Sequence, residues 1–152
     1  MQERSMTMRK KKRIALIAHD GMKLEMLDWV RFNQGTLQQH FLYATQSTGN
    51  LIIQETDLPV TCFKSGPLGG DQQIGARIVE GEIDFLIFFW DPLQPQPHDP
   101  DVKALLRLAV LQNIPTASNR STADFLISSS LMREEYERIL PDYTRRIQRP
   151  DL

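Results

Sequence analysis

The sequence is poor in cysteine, in long apolar runs and in any excess of one charge, and each shortage removes a class of protein. Its single cysteine, Cys62, has no second thiol with which to close an intramolecular disulfide or build a thiolate metal site. A reducing, cytoplasmic setting is expected. The longest apolar run, residues 85–90, falls far short of the roughly 20 residues a membrane-spanning helix needs. The basic run at residues 9–13 is not joined to an apolar stretch of signal-peptide length. Formal net charge is -1, with both signs mixed along the chain, so no global field draws it to nucleic acid or an anionic membrane. The expected partner is a small molecule.

Motifs are missing too. There is no GxxxxGK[ST] loop, no GxGxxG fingerprint and no Ser-centred nucleophile elbow, so nucleotide hydrolysis, hydride transfer and serine acylation lack their usual signals. His19, Asp20, Asp91 and His98 include metal-ligating residue types, but no His pair stands one helical turn apart. No metal and no cofactor is expected.

What is present is one ordinary domain's worth of chain, 152 residues, with residues 1–12 expected to form a flexible basic tail. Apolar runs at residues 14–18, 41–44, 60–63 and 85–89 predict buried strands, and residues 115–118 a short fifth one. Helical spacing links Leu24, Leu27 and Val30, then Ile74 and Ile78, then Val102, Leu105 and Ala109. Further helices are predicted near residues 122–127 and 131–140. Gly49 is read as the punctuation before a helix and Gly81 as the end of one. Strand alternating with helix implies a three-layer α/β/α fold around a parallel sheet of Rossmann-like type. In such sheets ligands bind beyond the carboxyl ends of the strands.

The strand ends are where the polar residues gather. His19, Asp20 and Lys23 follow the first predicted strand. Thr45, Gln46, Ser47, Thr48 and Gly49 follow the second, where free amides and a helix dipole fit a phosphate, although Thr or Ser there also fits an ordinary N-cap. The third is followed by Ser65, Gly66 and then Asp71 at a helix start, either an N-cap or a carboxylate held for catalysis. After the fourth comes a loop with four prolines in residues 92–100. It carries Asp91, His98, Asp99 and Asp101; Asp99, beside Pro100, is read as a turn residue.

Residues 18–20 and 43–50, the SGPLGGDQQ stretch at residues 65–73, and FFWDPL with PHDPDVKALLRL within residues 88–108 together closely resemble bacterial methylglyoxal synthases. The resemblance covers about residues 14–143. It implies a five-stranded parallel sheet, assembly as a homohexamer, and conversion of dihydroxyacetone phosphate to methylglyoxal and inorganic phosphate, which also acts as inhibitor. Asp71 is implied as the proton-transfer residue, and His98 as a catalytic and substrate-contacting imidazole. Asp20, Asp91 and Asp101 are implied as further catalytic acids, in a cluster surrounding them. Substrate contacts are implied for His19, Lys23, Thr45, Gln46, Ser47, Thr48, Gly49, Ser65 and Gly66. Gln46 stands where the family usually has glycine and Ser47 where it has threonine. An arginine near the carboxyl terminus, associated in the family with communication between subunits, has Arg149 as its nearest candidate, with Pro150 in the matching place.

Two other classes share these features less well. The same fold serves as a regulatory binding module in carbamoyl phosphate synthetases, but there as part of a larger chain. An adaptor would not require so many polar residues at strand ends.

Overall fold

The computed structural model describes residues 3–147. The carboxyl-terminal candidates Arg149 and Pro150 lie outside the described residues. The elements run β1 (Glu3–Met8), β2 (Arg13–Ala18), α1 (Lys23–Phe32), α2 (Gln34–Leu37), β3 (Phe41–Ala44), α3 (Gln46–Glu55) and β4 (Thr61–Cys62). There follow α4 (Gly70–Val79), β5 (Phe85–Phe89), α5 (Asp99–Leu111), β6 (Thr116–Ala117), α6 (Arg120–Ile127), β7 (Tyr136–Pro141) and α7 (Thr144–Ile147).

Five strands form a parallel sheet in the order β4-β3-β2-β5-β6. The central pair, β2 and β5, is buried on both faces, which is why these strands read as unbroken apolar runs and not as alternating ones. Alternation reappears in which layer each side chain joins. Ile14, Leu16 and Ala18 of β2, with Phe85, Ile87 and Phe89 of β5, pack against Met26, Trp29, Ile52 and Ala123 from α1, α3 and α6. Ala15, Ile17, Leu86 and Phe88 turn to the other face and meet Ile74, Ile78, Val102 and Leu105 from α4 and α5. Helices therefore cover both faces, as the alternation of strand and helix implied.

Chain order reverses direction across the sheet between β2 and β5, because β3 and β4 are laid down on one side of β2 and β5 on the other. The loops leaving β2 and β5 thus diverge and open a crevice at the carboxyl edge.

Three expectations are corrected. The segment expected as a solvated tail contains β1, which pairs antiparallel with β7 from Glu3 opposite Pro141 to Met8 opposite Tyr136. Its partner was hidden, because residues 131–140 were read as a helix and instead form a 3-10 turn at Ser130–Arg133 followed by β7. The ribbon is fastened by two buried cations. Lys12 donates to the carbonyls of Arg9 and Glu134, and Arg138 to the carbonyl of Gln112 and the sulfur of Met6. Gly49 does not precede α3 but lies inside it. A Cβ there would come within 2.4 Å of Cys62 Sγ, so the glycine lets the helix close onto β4.

Candidate active site

Each wall of the crevice is built by a strand handing over to a helix. β2 ends at Ala18 and delivers His19, Asp20 and Lys23; β3 delivers Thr45 and Ser47 at the start of α3. From the β4 side come Gly66, Pro67 and, in the first turn of α4, Asp71. The proline-rich loop after β5 folds back with Gln96 and His98. These residues, with Ile17 and Ala18, line a small cleft open to solvent.

Asp71 is the anomaly in this wall. The N-cap of α4 is Gly69, at φ 103°, so Asp71 is the second helical residue and does not cap the helix. It is 1% exposed, and neither carboxylate oxygen has a hydrogen-bond partner among the described residues. Burial pushes its pKa above the ordinary value; His98 opposes the rise and Asp101 adds to it. His98 Nε2 stands 3.6 Å from Asp71 Oδ2, beyond a good hydrogen bond, and His98 Nδ1 is also buried without a partner. Gly66 admits this approach, since a Cβ there would meet His98 Nε2 at 2.9 Å.

His19 is held differently. Its Nδ1 accepts the backbone N–H of Asp91 at 3.0 Å, so the neutral ring carries its hydrogen on Nε2, which has no partner. Burial lowers its pKa, and His98 and Lys23 lower it further against the pull of Asp99 and Asp91. The ring stacks edge-on against Phe88 and against His98, with centroids 5.1 and 5.7 Å away. This arrangement makes His19 a neutral N–H donor of fixed direction.

Positive charge enters from Lys23, whose ammonium donates to Ala18 O at 2.7 Å and pairs with Asp20 at 3.1 Å. The first turns of α3 and α4 add positive dipole ends, with Gln46 N and Gly70 N already held by the carbonyls of Lys64 and Ser65. Thr45 occupies the N-cap position of α3 without making a side-chain cap bond, so its hydroxyl is left to the cleft. An anion bound between Lys23 and the Thr45–Ser47 turn would be met from two sides.

Not every expected residue reaches the cleft wall. Asp91 accepts the N–H of Leu93 at 2.9 Å and shapes its own loop; only its backbone amide serves the site, through His19. Asp101 lies in the first turn of α5 and accepts from Gln72 Nε2 at 3.3 Å. Thr48 is buried against the backbone of Ala18, Gly49 against Cys62, and Gln46 is exposed at the rim. The carbonyl of Ser65 receives the N–H groups of Leu68 and Gly70 and holds the turn. Asp20 lines the mouth and is almost fully exposed. Asp99 accepts from Gln96 N, as its reading as a turn residue expected.

Sequence reading missed Pro67 and Gln96 in the wall. Pro67 lay in plain view within the glycine turn, whereas Gln96 carries no local signal beyond a proline on each side. Among the described residues no group of three or more His, Cys, Asp or Glu side chains is placed to hold a metal ion.

Comparison with known proteins identifies the family. The MGS-like domain family model matches residues 25–118. Methylglyoxal synthase of Pectobacterium atrosepticum is 61% identical over 137 residues, covering 90% of each chain. That of Leptospira interrogans is 58% identical over 138 residues, covering 91% of this chain and 93% of its own. The crystal structure of methylglyoxal synthase from Elizabethkingia anophelis superposes with a TM-score of 0.90 at 46% identity, covering 98% of this chain and 97% of that one. With the family model spanning more than half of the sequence and relatives this similar over nine-tenths of it, the chain belongs to the methylglyoxal synthase family.

Proposed function

We propose that the protein is a lyase that converts dihydroxyacetone phosphate to methylglyoxal and inorganic phosphate without a cofactor. The observation that carries this reading is Asp71: a buried carboxylate with both oxygens unpartnered, facing a cleft whose opposite side offers Lys23 and the first turn of α3. A base with a raised pKa is the stronger for it.

In this mechanism the substrate phosphate lies between Lys23, Thr45 and Ser47 on one side and the Ser65–Gly66 turn on the other. Asp71 takes a proton from the hydroxymethyl carbon, and the electron pair passes to the carbonyl oxygen to give an enediolate. His19 Nε2–H donates to that oxygen; its neutral state supports the role, as with the neutral imidazole of the handful of isomerases that use one. His98, which lines the same cleft with its Nε2 3.6 Å from Asp71 Oδ2, shares the work.

The enediolate then expels phosphate: the carbon–oxygen bond breaks, the electron pair leaves with the phosphate, and the enol of methylglyoxal remains to ketonise. Elimination requires that bond to stand out of the enediolate plane, which is what two anion contacts on opposite walls would enforce. Lys23 lowers the energy of the departing charge.

Assembly as a homohexamer, restraint by inorganic phosphate and a cytoplasmic setting complete the proposal. Self-association is supported by large apolar side chains left exposed at Trp90, Leu93, Val110 and Phe125. No helix among the described residues is long and apolar enough to cross a membrane.

The test is to incubate the purified protein with dihydroxyacetone phosphate, free of nucleotide and with a chelator present, and to assay phosphate and methylglyoxal together. Equal amounts of both are expected. Binding of phosphate with no turnover under phosphate-free starting conditions would instead make this a regulatory binding module.

A further inference from the structure

Two glutamines follow Asp71, both exposed and neither a part of the cleft wall. The second of them is tied to the turn that carries Ser65 and Gly66. β4 is the outermost strand of the sheet and only two residues long, so beyond Cys62 the chain has no strand on its open side. Phe63 still donates inward to Ala44 O at 2.8 Å. The next amide, that of Lys64, is received by Gln73 Oε1 at 2.8 Å.

The carbonyl of the same residue is equally committed. Lys64 O accepts from Gln46 N at 3.4 Å and lies so close to α4 that a Cβ on Gly70 would come within 1.8 Å of it. Ser65 O then receives Gly70 N at 2.9 Å. Lys64 is thus the point at which the anion turn, the start of α3 and the start of α4 meet, and Gln73 is the side chain that fixes its amide.

We propose that Gln73 is a positioning residue. By accepting the Lys64 N–H it sets the Ser65–Gly66 turn at a fixed distance from Asp71, two residues before it on the same helix. The turn is thereby held in the form that receives the substrate's phosphate. This rests on the function proposed above.

The test compares Gln73→Met, which keeps length but has no good acceptor, with Gln73→Glu, which keeps an acceptor. Lys64 amide hydrogen exchange, the Kd for inorganic phosphate, and KM and kcat for dihydroxyacetone phosphate are measured for each. Gln73→Met is expected to speed Lys64 exchange at least tenfold and to raise KM and the phosphate Kd together by about fivefold, the worth of one ordinary hydrogen bond. kcat should change by less than about twofold, and Gln73→Glu should keep Lys64 protected. Lys64 protection and phosphate affinity unchanged in Gln73→Met would overturn the inference, as would a fall in kcat with KM unmoved. Absence of turnover in the unsubstituted protein would count against the proposed function alone, because exchange and phosphate affinity still report on Gln73.

Discussion

His98 Nε2 and Asp71 Oδ2 stand 3.6 Å apart, both side chains more than nine-tenths buried, and no hydrogen bond joins them. A closer approach would fix the carboxylate as a hydrogen-bond acceptor and weaken it as a base. A wider one would remove the imidazole whose charge opposes the burial-driven rise in the pKa of Asp71. The separation keeps Asp71 reactive, and the cost of doing so is readable in stability.

Replacing Asp71 by Asn should therefore separate activity from folding. Turnover is expected to fall by about 10³-fold or more, since the proton acceptor is gone. Stability at neutral pH should rise. Burial raises the folded-state pKa of Asp71 above its unfolded value, so stability is fully present below the ordinary value of 3.8 and is lost as pH rises through the folded-state pKa. The gain from Asp71→Asn must then shrink as pH falls through the folded-state pKa and be gone below about 4. Thermal unfolding of both proteins from pH 3.5 to 8 checks this; a destabilised variant at pH 7 contradicts it.

Asp101 acts on the same group from outside the cleft. Its charge raises the Asp71 pKa, so Asp101→Asn should move the acid limb of the kcat/KM profile to lower pH. The residue itself touches no part of the cleft wall and is bonded to Gln72. Activity at the plateau should accordingly fall far less than in Asp71→Asn. A limb that stays in place or moves up in pH would show that Asp101 does not set the base.

His19→Asn removes the N–H whose direction the Asp91 amide fixes. Losing one donor to a developing oxyanion costs about 10²–10³ in kcat, with KM less affected. The unsubstituted ring must work neutral, and its lowered pKa keeps it so at physiological pH. NMR titration of the ring provides the direct check: its midpoint should lie below the ordinary value of 6.5.

Much of this was legible in the chain, and the parts that were not share a physical reason. β2 and β5 announced themselves because strands buried on both faces must be apolar throughout. Asp71 was visible as an acid beside glycines, but that it fails to cap its helix is a property of Gly69 in the left-handed region, which one sequence does not reveal. β1 and β7 were missed because their register spans 130 or so positions and neither has a clean apolar face: Arg138 points inward and Tyr136 and Ile139 stay exposed. Asp91 was expected among the catalytic acids, yet what it gives the site is a backbone amide, and an amide leaves no mark in the sequence. The role of Gln73 was invisible for the same reason, since its partner is the N–H of Lys64.

Gly70 gives the sharpest steric test. Alanine normally stabilises a helix relative to glycine, by up to about 1 kcal/mol. At Gly70 the added Cβ would sit 1.8 Å from Lys64 O and 2.9 Å from Ser65 O, and both are main-chain atoms that cannot rotate aside. Either the Ser65–Gly66 turn or the first turn of α4 has to shift, and Asp71 is the next residue. Gly70→Ala is expected to reduce kcat/KM at least 10²-fold, because displacements of about 1 Å near the reacting atoms carry costs of that order. Gly35→Ala is the control: nothing lies within 4 Å of its added Cβ, so that variant should keep full activity and unfold at the same or a slightly higher temperature. Full activity in Gly70→Ala would mean that the turn and the base are not held in fixed relation, and the geometry of proton removal proposed for Asp71 would have to be abandoned.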